Sequence, residues 1–125
     1  MNNLIIDAAN EKILLKIIFD NQSYTSEYSN SRENFDKLSH IIFDFLKKKN
    51  MRIEDISNIF VNHGPGKYSS TRLSIVICKA ICLAHNIKLY SFGTEQIKGK
   101  NYSKILDLKK KGYLISGLIK PIYLN

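Results

Sequence analysis

The sequence predicts a single α/β domain, because of its length, its hydrophobic content and the order of its apolar segments. The chain has 125 residues, of which 44% are hydrophobic, and this is enough for one compact core. Short apolar runs with a period of two predict strands, and longer segments with apolar residues three and four apart predict helices. Along the chain the order is three strands, a helix, a strand, a helix and a strand. We interpret this as a mixed five-stranded sheet with two main helices.

The first 30 residues predict three antiparallel strands. The apolar run Leu4-Ile5-Ile6 opens a strand that ends at Asp7, and a short turn leads to a second strand with one apolar side. Asp20-Asn21 is a candidate two-residue hairpin turn. The weak alternation over residues 22–29 is typical of an edge strand that is exposed on one face.

A first helix is predicted from a cap at Ser31 to about Lys49. Its apolar residues fall on one wide face, and Phe43 lies on the otherwise polar side. The lysines at positions 47–49 suit the negative end of the helix dipole.

The centre of the chain, residues 59–87, reads as a buried strand, a turn and a long apolar helix. Gly64-Pro65-Gly66 ends the strand and forces the turn. Three hydroxyl residues that follow can cap the helix, namely Ser69, Ser70 and Thr71.

This second long helix is apolar on two sides. The predicted core face consists of Leu73, Val76, Ile77, Ala80, Ile81 and Ala84. On the far side lie Ile75, Cys78 and Cys82, also three and four residues apart. Because a short chain has little material to cover a second apolar side, we expect a partner subunit to contact it.

Composition limits the classes of protein that the chain can belong to. It has no apolar run as long as a membrane span and no basic, signal-like start, so we expect a cytoplasmic protein without a membrane partner. Cys78 and Cys82 lie on one helix side and are interpreted as packed free thiols.

Positive charge is concentrated at the end of the chain. Residues 98–125 hold seven lysines against one acidic residue, whereas residues 1–97 hold twelve basic and ten acidic residues. One interpretation is contact with RNA phosphates, for which Lys109, Lys110 and Lys111 are candidates. The other is a solvated tail that keeps the protein soluble.

The candidate chemistry is limited to two features, each with a structural alternative. Asp7 is placed to hold a metal-bound phosphate, or else to accept hydrogen bonds from turn amides. The Gly64-Pro65-Gly66 turn before a helix can present amides to an anion, or else is only a tight turn. No catalytic group of residues and no metal site is predicted.

The residues around this turn resemble the TsaB (YeaZ) family. The segment GPGKYSSTR at residues 64–72 is similar to the family's GPGSFTGLR, and the strand that ends in Asp7 is similar to the family's opening I-D-T. Lys67, Ser70 and Thr71 differ from the family pattern, as does Ala8. The resemblance covers about residues 3–97 and returns at Pro121-Ile122-Tyr123-Leu124. The residues that carry the family motif are Asp7, Gly64, Pro65, Gly66, Tyr68, Ser69 and Arg72.

The resemblance implies a ribonuclease-H-like lobe of the kind found in the actin, hexokinase and Hsp70 superfamily. We expect residues 1–97 to form this lobe, and residues 98–125 to form a short basic segment that replaces the family's second lobe. A natural C-terminus is expected because the terminal motif returns.

The resemblance also implies a function in forming N6-threonylcarbamoyladenosine, next to the anticodon of tRNAs that read codons beginning with A. The chain would be a noncatalytic subunit that binds and activates a TsaD-like enzyme, and a TsaE-like ATPase would join the pair. Expected partner-binding residues are Phe43, Ile75, Cys78, Lys79 and Cys82.

Three points stay open at this level. ATP or ADP with Mg²⁺ can lie at the partner interface, although we expect no cofactor held by the chain alone, and a homodimer is an alternative assembly. A second functional hypothesis is a tRNA-binding module that acts through the lysine-rich tail. A third is a residual nucleotide hydrolase that uses Asp7 and the Gly64–Gly66 turn.

Overall fold

The computed structural model describes residues 1–117, which form a mixed sheet of six strands in the order β3-β2-β1-β4-β5-β6. The strands are β1 Asn2–Asp7, β2 Lys12–Phe19, β3 Gln22–Ser29, β4 Asn58–Asn62, β5 Lys88–Phe92 and β6 Ile115–Ser116. The first three are antiparallel neighbours, and β4 and β5 continue the sheet parallel to β1. The α/β class and the five predicted strands are confirmed. The sixth strand, β6, pairs antiparallel with β5 and is too short to give a periodic signal.

The helices are α1 Arg32–Asp36, α2 Leu38–Lys48, α3 Tyr68–His85 and α4 Lys104–Lys110, with 3₁₀ helices at Ile53–Asp55 and Thr94–Lys100. Ser31 caps α1 as predicted, since its hydroxyl accepts a hydrogen bond from the amide of Asn34 at 3.3 Å. The predicted first helix is divided in two, because Lys37 leaves the helical conformation with φ −105° and ψ 19°. Among residues 1–117, no helix has both the length and the apolarity needed to cross a membrane.

The start of α3 differs from the prediction. The helix begins at Tyr68, directly after Lys67, so Ser69, Ser70 and Thr71 lie inside its first turn and none of them caps it. The physical reason lies one residue earlier: the Lys67 amide donates to the carbonyl of Ala9 at 3.0 Å, which fixes where the loop ends and the helix begins.

The inward face of α3 differs from the predicted one. Ile75, Cys78 and Cys82 are buried in the core, whereas Val76 of the predicted core face is 54% exposed. Ile81 of that predicted face is buried, and Leu83, which was assigned to neither face, is 88% exposed. The prediction that Ile75, Cys78 and Cys82 face a partner is therefore wrong. Both thiols are free, as predicted, and burial raises the pKa of Cys82 to about 11.

Two small polar residues explain why this face of α3 lies inward. Ser70 and Ser74 are both fully enclosed, and their hydroxyls donate to the carbonyls of Ala8 at 2.6 Å and Thr71 at 2.8 Å. Because their hydrogen bonds are made within the protein, burial leaves neither hydroxyl unpaired. Small side chains also let the helix lie close to the sheet.

Helices cover both faces of the sheet. The larger core lies between the sheet and α1, α2 and α3. The 3₁₀ helix Thr94–Lys100 and α4 cover the opposite face, where Ile97, Tyr102 and Ile105 pack against Phe60 and Phe92. Residues on both sides of the predicted boundary after Ile97 thus belong to one layer. We call this layer, residues 94–117, the second layer.

The apolar residues at the end of the described chain are buried to different extents. Leu106 and Leu114 are partly buried against this layer, but Ile115 is 49% exposed. Leu118, Ile119 and the terminal motif at residues 121–124 lie outside the described residues.

Candidate functional site

The carboxyl ends of β1 and β4 bring Asp7 next to Asn62. The two strands are parallel, with Ile6 paired to Val61, so the next residue of each strand meets at the same edge. Both side chains are almost completely buried. Parallel sheets commonly bind ligands at this edge, so it is a candidate functional site.

The carboxylate of Asp7 is occupied by hydrogen-bond donors of the chain itself. Its Oδ1 accepts from the amide of Ala9 at 3.1 Å and from Asn62 Nδ2 at 3.0 Å, while Asn10 Nδ2 lies 3.4 Å from each oxygen. The hydroxyl of Tyr102 donates to Oδ2 at 2.6 Å. These contacts favour the structural role for Asp7 over the metal-phosphate role, because no oxygen is left without a protein donor.

Tyr102 contacts the Asp7 carboxylate from the second layer. Its pKa is raised by burial, and further by the charge of Asp7, by their hydrogen bond and by Glu27. The phenol therefore stays protonated and remains a donor at any ordinary pH. Tyr102 is not available to stack on RNA bases, since its side chain is 5% exposed.

Asn62 and Thr94 extend the same hydrogen-bonded group to the Gly-Pro-Gly turn. Asn62 Oδ1 accepts from the amide of Gly64 at 2.8 Å, and its Nδ2 donates to Thr94 Oγ1 at 3.1 Å. The Thr94 hydroxyl donates to the carbonyl of Pro65 at 3.0 Å. We call Asp7, Asn62, Thr94 and Tyr102 the Asp7 network.

Both glycines of the turn are required by local geometry. Gly64 has φ 103°, which L side chains rarely adopt. A Cβ on Gly66 would lie 2.5 Å from both the Cβ and the carbonyl oxygen of Ala9, so only glycine fits against the β1–β2 turn. The turn is thus held by its neighbours, and Gly64-Pro65 is a cis peptide bond.

His63 lies beside the turn, and its ring also contacts another side chain of the protein. Its Nδ1 is 2.8 Å from Ser91 Oγ, and burial lowers the pKa of the imidazole. Residues 1–117 contain no cluster of three or more His, Cys, Asp or Glu side chains placed to hold a metal ion.

A separate feature of the molecule is the outer side of α3. Val76, Ala80 and Leu83 are exposed at spacings of four and three, so they share one helix face. We call these three residues the α3 stripe. The sequence predicted an apolar surface for a partner on this helix, but assigned it to Ile75, Cys78 and Cys82.

An open groove of about 580 Å³ lies next to the α3 stripe, between α1 and α3. Phe35, Leu73 and Val76 supply its apolar surface, and an Arg32–Asp36 ion pair lies at its α1 side. Three motif residues, Tyr68, Ser69 and Arg72, line this groove and do not contribute to the Asp7 network. The family motif is therefore divided between two places.

The remaining predicted contact residues differ in exposure. Phe43 of α2 is 42% exposed, and Lys79 lies at the side of α3 in a half-buried position. In the basic segment, Lys109 Nζ lies 5.4 Å from the centre of the Tyr90 ring, and Lys111 pairs with Asp107 at 3.0 Å. Lys110 is exposed.

Comparison with known proteins gives similarity to two groups. No protein-family profile matches the chain. Over 76 residues it is 30% identical to a tRNA N6-adenosine threonylcarbamoyltransferase of Bacillus thuringiensis (strain Al Hakam), which covers 61% of the chain and 22% of that protein. Over 86 residues it is 27% identical to the protein of the same name from Listeria monocytogenes serotype 4b (strain CLIP80459), covering 69% and 24%. The chain thus spans less than a quarter of the length of these curated relatives.

Solved structures establish the fold. YeaZ from Pseudomonas aeruginosa superposes with a TM-score of 0.73 at 14% identity, over 89% of this chain and 50% of that one. Thermus thermophilus RuvC, solved with a Holliday junction substrate, superposes with a TM-score of 0.54 at 9% identity, over 98% and 85%. The chain therefore has the ribonuclease-H-like fold that the sequence predicts, and its similarity to YeaZ covers about half of that protein.

Proposed function

We propose that the chain is a noncatalytic partner subunit that binds and activates a TsaD-like threonylcarbamoyltransferase. The reaction would be the formation of N6-threonylcarbamoyladenosine on tRNA, at the adenosine beside the anticodon. The observation that carries the proposal is the α3 stripe, whose exposed Val76 and Leu83 lie beside a groove of mixed apolar and charged lining. Exposed apolar side chains grouped on one helix face and bordered by polar residues are typical of surfaces that bind other proteins.

Two further observations support a partner role. The fold is that of YeaZ, and the sequence relatives are named as the transferase itself. A subunit that shares a fold and local sequence with an enzyme is suited to pair with it through matching helices. A helical pairing of standard size would bury about 1,600 Å² in total.

The alternative of a residual nucleotide hydrolase has less support from the geometry. Asp7 would have to exchange Tyr102 and Asn62 for a metal-bound phosphate, and both partners are buried with it. Calorimetric titration with ATP and Mg²⁺ separates the two functions, because the partner role predicts no heat of binding for the chain alone. ATP or ADP at the partner interface and a TsaE-like ATPase as a third component stay part of the proposal.

Complex formation tests the partner role directly. We would mix the chain with the TsaD-like enzyme of its source organism and measure the mass by size-exclusion chromatography with light scattering. Val76→Glu with Leu83→Glu places two charges on the α3 stripe and should abolish the complex, because a charge buried at an interface is costly when unpaired.

Gln22→Glu with Ser39→Glu is the matched control. It adds the same two charges at exposed positions of β3 and α2 and should leave the complex intact. Failure of the wild-type chain to form any complex, with and without ATP, would refute the proposal. Equal loss in the control would refute the role of the α3 stripe.

A further inference from the structure

The second layer of the fold carries half of the chain's net positive charge. Residues 94–117 contain six lysines against Glu95 and Asp107. The layer buries Ile97, Tyr102 and Ile105 against the sheet, so its lysines are carried on the outward side of an ordered structure. The backbone that carries these lysines is therefore ordered, unlike that of a solvated tail.

Internal contacts separate these lysines into two groups. Lys111 pairs with Asp107, and Lys109 packs over the Tyr90 ring. Within residues 1–117 the structure gives no ion pair to the other four, Lys98, Lys100, Lys104 and Lys110, all of which are exposed. We call these four residues the basic face.

The basic face begins at a surface depression. Lys98 and Lys100 line this depression, about 280 Å³ in volume, together with Asn10, Thr94, Ile97 and one acidic residue, Glu95. Lys100 has φ 58°, a left-handed conformation that costs energy in a residue other than glycine. Lys104 and Lys110 are the first and last residues of α4.

An exposed aromatic ring lies at the other end of this layer. Tyr113 is 63% exposed although its backbone is fixed: its amide donates to the carbonyl of Leu108 at 3.0 Å, and its carbonyl accepts from Gln96 Nε2 at 3.1 Å. Leu114 packs against the core beside it. An exposed ring on a fixed backbone, three residues after Lys110 in the sequence, is a surface on which an unpaired base can stack.

We propose that the basic face and Tyr113 bind single-stranded RNA. Exposed lysines supply the contacts to phosphates, and release of counterions supplies the affinity. Tyr113 favours unpaired bases over a duplex, because bases within a duplex are already stacked on each other. The inference concerns the isolated chain and stands apart from the proposed function, so each can fail without the other.

Fluorescence anisotropy with a labelled single-stranded RNA of about 15 nucleotides tests the proposal, with a duplex of the same sequence for comparison. The variant Lys98→Gln, Lys100→Gln, Lys104→Gln, Lys110→Gln should lower the slope of log K against log salt by about 2 to 3. The matched control replaces Lys37, Lys47, Lys48 and Lys88 by Gln, which removes the same charge elsewhere on the surface. Its slope should be nearly unchanged.

Tyr113 provides a second, independent readout. Tyr113→Ala should weaken binding of the single strand about tenfold, while Tyr113→Phe keeps the ring and should bind like the wild type. Equal losses in the two lysine variants would overturn the proposal, because they would indicate general charge attraction. Absence of RNA binding, or binding to anionic lipid vesicles in its place, would overturn it as well.

Discussion

At the scale of single residues, Asp7 shows how the fold satisfies a buried carboxylate. A buried carboxylate needs hydrogen-bond donors around both oxygens. This chain supplies them from three places: the turn after β1, the end of β4 and the second layer, through Ala9, Asn62 and Tyr102. The hydrogen bonds of Asp7 thereby connect residues from both faces of the sheet at one edge.

Removing one of these donors should destabilise the protein. In Tyr102→Phe the ring still packs against Phe92, but Oδ2 of Asp7 loses its closest donor at a buried position. We expect the free energy of unfolding to fall by about 1–3 kcal/mol, measured by urea denaturation. Tyr113→Phe is the control, since that hydroxyl is on an exposed ring. A change in Tyr102→Phe no larger than in the control would contradict this role for Asp7.

The sequence predicted one partner of Asp7 but not the others. An aspartate before a short turn is expected to accept from a turn amide, and Ala9 confirms this. Tyr102 lies 95 residues away in sequence. No local pattern links two positions so distant, so only the folded structure brings the phenol to the carboxylate.

At the scale of elements, α3 shows what periodicity can and cannot determine. The pattern of three and four correctly predicted a helix with apolar residues on two sides. It did not determine which side faces the sheet, because both sides offer branched or sulfur-containing side chains. The serines of the inner face, Ser70 and Ser74, made that face look polar, yet their hydroxyls are satisfied by backbone carbonyls.

A pair of neighbouring substitutions tests the orientation of α3. Ile75→Ala should lower the free energy of unfolding by about 2–5 kcal/mol, because the side chain is buried in the core. Val76→Ala should change it by less than about 1 kcal/mol, because that side chain is more than half exposed. Thermal or urea denaturation measures both. The reverse order would mean that the orientation predicted from the sequence is the right one.

Some ends of helices and strands were predicted correctly from the sequence, and others were not. The β2–β3 hairpin turn lies where the sequence places it, and Asp20 adopts φ 51° in that turn. The start of α3 was wrong because a tertiary contact, from the Lys67 amide to Ala9, fixes it. Local capping preferences cannot report such a contact.

At the scale of the whole molecule, the sheet separates the two surfaces for which we propose binding partners. The helices α1, α2 and α3 form one face and carry the α3 stripe, and the second layer carries the basic face on the opposite side. The two proposed contacts therefore do not compete for the same face of the sheet. Apolar periodicity and the distribution of charge predicted an apolar and a basic surface, but the placement of Lys109 and Lys111 in internal contacts needed the structure.

The partner role can be tested most directly by reconstituting the tRNA modification. We would assay N6-threonylcarbamoyladenosine formation by the TsaD-like enzyme, with the carbamoyl donor and the ATPase supplied equally in every reaction. We expect modified tRNA when the wild-type chain is present, and little or none when it is absent or replaced by the chain with Val76→Glu and Leu83→Glu. Equal modification without the chain, or modification by the chain alone, would contradict its role as an activating partner.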